Sequence, residues 1–301
     1  MGISREQAVD CFRSDDLVGI GMEADAVRRR LHPEGVVTYA IGCEVEVGGA
    51  GAGSLDGICD ALDEAVEMGA TAVRIRIAAG CGVEGAVRGI RQRFPELWIE
   101  GLTTAEVGSI GADGGMGVRE TIARLQDAGL DAIAGDGVEL GGGPRGDRCN
   151  VDEWAEVHRA AHGLGMRTVA AMVFGAGETL EQRVGFLQEV RTLQEETGGF
   201  AAFVPVAADV PGGRELDGAT AVERLKTLAI ARMFLENIEN VQATRAGQGL
   251  KVLQTGLRFG ANDLGLITAE GANEEDARRI IRDAGFKPAQ RDAAYRAMML
   301  S

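Results

Sequence analysis

Short β-branched runs alternate with longer amphipathic stretches from Gly35 to about Gly285. That rhythm admits few folds, because it requires a parallel sheet whose strands are joined and covered by crossover helices. Eight turns of it are legible. The strand candidates are Gly35–Ile41, Ala72–Ile77, Leu97–Gly101, Ala132–Gly135, Thr168–Phe174, Ala201–Pro205, Val241–Thr244 and Asp263–Ile267, with starts 22 to 40 residues apart, the size of one βα unit. Apolar residues at helical spacing mark the crossovers: Leu55, Ile58, Leu62 and Val66 on the first, Ile122, Leu125 and Leu130 on a later one, and Leu187, Val190 and Leu193 after Glu178. Glycines at 69, 129 and 285 stand where those helices stop. Eight such units in 301 residues predict an α/β fold, a single (β/α)8 TIM-type barrel over residues 35–301 that includes a C-terminal tail. Residues 1–34 form an N-terminal helical extension of two helices, Arg5–Phe12 and Asp15–Leu31, expected to plug or flank the barrel bottom.

Sites in such barrels lie on the loops that follow strand C-termini. The search therefore narrows to Gly42–Ser54, Ala78–Val83, Leu102–Gly117, Asp136–Arg148, Gly175–Thr179, Val206–Glu215, Arg245–Gly249 and Thr268–Asn273. The formal charge of −15 argues against nucleic acid and anionic membrane as partners, since both reward a basic surface. Met1–Arg13 is polar and charged, and no apolar run approaches the ~20 residues that span a bilayer, so a soluble cytoplasmic protein is expected. Five cysteines, Cys11, Cys43, Cys59, Cys81 and Cys149, contain neither CxxC nor CxxxCxxC. Neither a secreted disulfide framework nor a compact metal motif is written in that spacing.

Long stretches of the chain resemble the radical SAM enzymes of the futalosine route to menaquinone, most of all the cyclic dehypoxanthine futalosine synthases and next the aminofutalosine synthases. The resemblance rests on Ser4–Val37, Asp152–Leu187, Leu193–Pro205, Ala219–Ile230, Gln248–Asp263 and Arg279–Arg291. It implies S-adenosylmethionine and a four-iron four-sulfur cluster as cofactors, the cluster held by three thiolates of a CxxxCxxC loop after the first strand. Here that strand is followed by Gly42-Cys43-Glu44-Val45-Glu46-Val47 and the glycine-rich run 48–53, so the cluster loop reads as deleted and replaced. A family GGGAE stretch after the fourth strand stands as Gly135-Asp136-Gly137-Val138-Glu139. Framework is kept while the loops that carry chemistry differ.

By that resemblance Gly135, Gly137 and Glu139 are the candidate cofactor-binding residues. Cys43 and Cys81 end neighbouring strands and are candidates for a metal or redox pair, with Cys59 as a third thiol; each also suits a small buried filler. Carboxylates expected on mouth loops include Glu44, Glu46, Glu100, Asp136, Glu139, Glu178, Asp209 and Asp263. Among them Glu139, Glu178 and Asp209 are the catalytic candidates, as a general base or as Mg²⁺ ligands; Glu178 also suits a cap on the following helix. His158 and His162 share a helical face but lack an evident third ligand, and read as framework. The expectation is a degenerate or redesigned homologue without radical SAM activity, able to hold a small nucleoside-like ligand, with no cofactor assigned and a homo- or hetero-oligomer open. Alternatives are a retained radical SAM cyclase using Cys43, Cys59 and Cys81, a metal-assisted lyase or hydrolase, and a non-catalytic partner of an active paralogue.

Overall fold

A computed structural model describes residues 2–48, 55–77, 82–135, 138, 140–141, 148–208, 219–244, 249–268 and 274–296. In chain order its elements are α1 (Arg5–Arg13), α2 (Leu17–Leu31), β1 (Val36–Val47), α3 (Leu55–Glu67), β2 (Ala72–Ile77), α4 (Val83–Arg93), β3 (Trp98–Gly101), α5 (Thr104–Gly114), α6 (Val118–Ala128) and β4 (Ala132–Ile133). They continue with α7 (Val151–His162), β5 (Thr168–Phe174), α8 (Leu180–Thr197), β6 (Phe200–Ala207), α9 (Ala221–Phe234), β7 (Asn240–Val241), α10 (Leu250–Arg258), β8 (Asp263–Thr268), α11 (Glu274–Asp283) and β9 (Lys287–Gln290).

Strands pair in parallel in the order β4-β3-β2-β1-β8, and separately as β5-β6-β7. Single links join the two sets into a (β/α)8 barrel. On one side the Ala171 N–H donates to Gly135 O (3.2 Å); on the other Gln242 bridges Asp263, and the Ala243 N–H donates to Asp263 O (2.9 Å). A Cβ on Gly135 would sit 1.4 Å from Val169 O, so only glycine lets β4 approach β5 this closely.

β2 and β5 have the predicted bounds, whereas β1 runs six residues past its predicted end at Ile41. Gly42–Val47 pairs with Ala72–Ile77 residue for residue, so Glu44 and Glu46 stand on a strand and not in a mouth loop. The alternation of Cys43, Val45 and Val47 with Glu44 and Glu46 is a strand pattern, and the glycine at 42 masked it.

The helices start where polar caps meet amphipathic runs. Ser4, Thr103, Asn150 and Thr179 each close a capping box with the Gln or Glu three residues on. The two N-terminal helices lie outside the helical ring, α1 against α8 and α9, α2 against α9 and α10. Covered from outside as well as within, α9 buries Leu225 and then every residue from Thr227 to Phe234. Among the described residues no helix is long and apolar enough to cross a membrane.

β9 lies within the predicted C-terminal tail. Lys287-Pro288-Ala289-Gln290 has no alternation and carries a proline, which suits an edge position. It pairs with Val36–Tyr39, on the edge of β1 that β2 takes over from Gly42 onward. Arg291 follows, and its Nε and Nη2 donate to Asp263 Oδ2 (2.5 Å) and Oδ1 (2.9 Å). Thr38 Oγ1 and the Gly265 N–H complete the shell of this fully buried carboxylate. Asp263, expected at the mouth, therefore stands at the opposite end, as the first residue of its strand. Asp263→Ala would leave a buried guanidinium without its counter-charge and is expected to cost about 3–5 kcal/mol in urea unfolding, while Asp263→Leu combined with Arg291→Met regains most of it.

Candidate functional site

The strands turn their apolar faces outward to the helices. Val73, Ile75 and Ile99 are buried there, which forces Ala72, Arg74, Arg76, Trp98 and Glu100 toward the barrel axis. Inward residues of barrels of this type are ordinarily bulky and branched, so the lumen is filled. Here Ala40, Ala72, Ala132, Ala171, Ala201 and Gly265 line it, leaving a cavity of about 340 Å³.

One layer of that cavity is charged. Cross-strand register puts Glu44 opposite Arg74 and Arg74 opposite Glu100, and all three line the lumen. Arg74 Nε and Nη2 donate to Glu100 Oε1 at 2.7 and 2.5 Å, while Arg76 approaches Glu44 at 3.9 Å. Neither arginine was singled out from sequence, although the alternation in Val73-Arg74-Ile75-Arg76-Ile77 carried the signal once the apolar face was assigned to the helices. The Trp98 indole lies one layer below Glu100.

The structure places the predicted site residues in different surroundings. Cys43 alternates to the outer face, half-buried against the apolar layer that also holds Cys59 on α3. Its thiol donates to Ala72 O (3.9 Å), and burial pushes its pKa up to about 11. Burial also raises the Cys59 thiol. Cys149 meets Thr104 Oγ1 at 3.2 Å and Cys11 lies on α1, apart from the layer that holds Cys43 and Cys59, and no described thiol lines the lumen. Glu178 Oε1 and Oε2 accept from the Gly175 and Ala176 N–H groups (2.7 and 2.9 Å), and Oε1 also from Arg183 Nη2 (2.5 Å). Burial pushes this carboxyl up, but the backbone N–H groups together with Arg183 outweigh it and hold it below the usual range. Both oxygens thus tie the loop after β5, and the N-cap of α8 is Thr179, not Glu178. Gly135 lines the lumen, with its carbonyl accepting from Trp154 Nε1 (3.1 Å). Cys81, Asp136, Gly137, Glu139 and Asp209 lie outside the described residues.

His158 and His162 both meet Thr168 Oγ1, at 2.8 and 2.9 Å, and pack with Trp154 and Phe200. Among the described residues no three His, Cys, Asp or Glu side chains gather where they could hold a metal ion. An iron–sulfur cluster needs three thiolates converging on one face, and the described cysteines do not fit that requirement.

Two measurements follow from these surroundings. The Cys43 thiol is expected to resist iodoacetamide at pH 8 in the folded protein and to label promptly in urea, as peptide mass spectrometry would show. Burial holds His158 well below its ordinary pKa, and holds His162, also facing the charge of Arg167, down at about 4. As pH falls from 6.5 toward 4 the unfolded chain takes up protons that the folded chain refuses. The contribution of these two histidines to stability is therefore complete above pH 6.5 and declines through that window. His162→Gln is expected to flatten the decline in urea midpoints measured from pH 7.5 to 4.5.

Residues 197–301 match the CofH/MqnC C-terminal region. The cyclic dehypoxanthine futalosine synthase of Streptomyces coelicolor is 33% identical over 341 aligned positions, covering 97% of this chain and 85% of that protein. That of Halalkalibacterium halodurans is 29% identical over 97% of this chain and 90% of its own length. An alignment of 341 positions is longer than the whole 301-residue chain, so the Streptomyces protein carries residues inside the match that this chain lacks. Among solved structures, the hydrogenase maturase HydG superposes with a TM-score of 0.72 at 12% identity, covering 96% of this chain and 73% of its own. Methylornithine synthase (PylB) gives 0.70 at 14%, covering 98% and 96%. These two likenesses establish the shared barrel. With a third of the aligned residues identical across nearly its whole length, this chain belongs to the family of the cyclic dehypoxanthine futalosine and aminofutalosine synthases, the radical SAM enzymes of the futalosine route to menaquinone.

Proposed function

We propose that this chain is a family barrel that holds a small nucleoside-like ligand in its lumen and does not carry out radical SAM chemistry. The observation that carries this reading is the course of β1. In the family this strand leads into the cluster loop; here it continues as a paired strand to Val47, and its one cysteine faces the helices. The family's four-iron four-sulfur cluster supplies the electron that cleaves S-adenosylmethionine. With the described thiols dispersed, no step of that kind is assigned to this chain.

The lumen supports the binding half of the reading. Its alanine wall leaves room for a planar ligand, Trp98 offers an aromatic face, and the layer of Glu44, Arg74 and Glu100 offers both acceptors and donors. Gly135, which lines the lumen, is proposed as a ligand contact, and Gly137, Glu139 and Asp209, which follow the fourth and sixth strands in sequence, are proposed as further contacts. The net charge of −15 supports a small molecule over a nucleic acid or a membrane as the partner, and a cytoplasmic place of action is proposed with it.

Anaerobic reconstitution with iron and sulfide, followed by incubation with S-adenosylmethionine and a reductant, tests the reading. The expected result is no thiolate-to-iron absorbance and no 5′-deoxyadenosine from a protein that stays folded. A bound cluster with 5′-deoxyadenosine formation would overturn it and restore the family's radical chemistry.

A further inference from the structure

After β9 the chain turns back into its own barrel. The Arg291 N–H donates to Tyr39 O (2.8 Å), and a tight turn follows in which the Tyr295 N–H donates to Asp292 O (3.2 Å) and the Asp292 N–H to Arg296 O (2.9 Å). Tyr295 adopts φ +65°, a left-handed conformation that costs any residue bearing a Cβ. Such strain persists only where the surroundings over-determine it, and it is concentrated at functional positions.

The surroundings here are specific. The Arg291 guanidinium lies 3.8 Å from the Tyr295 ring centroid, and both oxygens of Asp263 hold it in place. The Tyr295 hydroxyl accepts from Gln242 Nε2. Gln242 in turn lies over Gly265, at φ +73°, where a Cβ would stand 3.1 Å from the Gln242 side-chain oxygen. Arg291, Tyr295, Gln242 and Gly265 all line the 340 Å³ lumen. Their level is that of Tyr39 and Asp263, the end away from the loop-bearing mouth.

The geometry points to the segment Arg291–Tyr295 as the floor of the chamber, with the Tyr295 hydroxyl as its recognising group, donating to a neutral carbonyl or hydroxyl oxygen of the ligand. This rests on the reading of the lumen as a small-ligand chamber. With its oxygen occupied by Gln242, the hydroxyl keeps its proton to donate. Burial raises its pKa, so it stays protonated across the working pH range. A neutral oxygen suits this end better than an anion, because the charge of Arg291 is already committed to Asp263.

The chain has two tryptophans, and only Trp98 lines the lumen; Trp154 is fully buried elsewhere. Trp98 fluorescence, isolated by comparison with Trp98→Phe, therefore reports on the chamber in two measurements. In the first, acrylamide quenching is compared between the unaltered protein and Tyr295→Gly, a change that removes the ring and the backbone strain together. A rise in quenching at an unchanged thermal midpoint supports the floor, and unchanged quenching overturns it. In the second, adenosine and uridine are titrated into the unaltered protein and Tyr295→Phe, with thermal midpoints recorded for both. An affinity lowered roughly three- to tenfold at an unchanged midpoint supports the donor. Equal affinity overturns the donor and leaves the ligand reading standing. No binding of either nucleoside to the unaltered protein overturns the ligand reading and the donor with it, while the floor is decided by quenching alone.

Discussion

Five other strands, β2, β3, β4, β8 and β9, are registered against β1 directly or through a neighbour. β1 pairs with β8 on one edge and, on the other, with β9 along its first half and β2 along its second. A strand bonded on both edges has no freedom to slide, because a one-residue slip would turn its outward apolar set into the lumen. From that register follow the inward direction of Glu44, the layer it forms with Arg74 and Glu100, and the outward direction of Cys43. Extending β1 to Val47 is thus a structural change and a chemical one at once. Residues that would otherwise present side chains from a loop are committed to alternate faces of a sheet.

The lumen shows what a parallel barrel does when its inner residues are small. Alanines at positions 40, 72, 132, 171 and 201 leave space that branched side chains would fill, and the charged layer brings water-loving groups into it. Arg74 between two carboxylates keeps that layer balanced, since the pairing of Arg74 with Glu100 offsets part of the cost of taking both from bulk water. At the far end the fully buried Asp263 is answered by Arg291 from a segment outside the eight-unit repeat. Among the described residues the layer of Glu44, Arg74 and Glu100 is charged, whereas the opposite end is closed by an ion pair and a tyrosine.

The same framework serves enzymes that share only an eighth or so of their residues with this chain, as the superpositions on HydG and PylB illustrate. A barrel separates stability from chemistry, with the helix–strand layer on one side and the loops on the other. Here the helix–strand layer holds Trp154, His158 and His162, and the capping box of α8, all in stretches that resemble the family. The departures fall on β1 and on the loops after the strands. The chain keeps the family's barrel, and its described thiols stand outside the lumen.

Much of the fold was legible because it depends on periodicity. Alternation gave β2 and β5 their bounds, glycines gave the helix stops, and the count of βα units gave the barrel. The site was legible only in part. Glu178 was identified as a residue of consequence, but the backbone N–H groups and Arg183 that occupy it come from the loop's shape and from a residue five positions on. Asp263 begins its predicted strand, so chain direction already sets it at the end away from the mouth loops, and what only the tertiary structure shows is its pairing with Arg291. The inward direction of Arg74 and Arg76 depends on which face of β2 meets the helices, and β9, with its proline and no alternation, carries no local signal. The sequence by itself determined the elements, their order and the absence of CxxxCxxC spacing, since these follow from local pattern. Only the tertiary structure decided which face each strand residue takes and which residues meet in the lumen, because both depend on pairing between segments far apart in the chain.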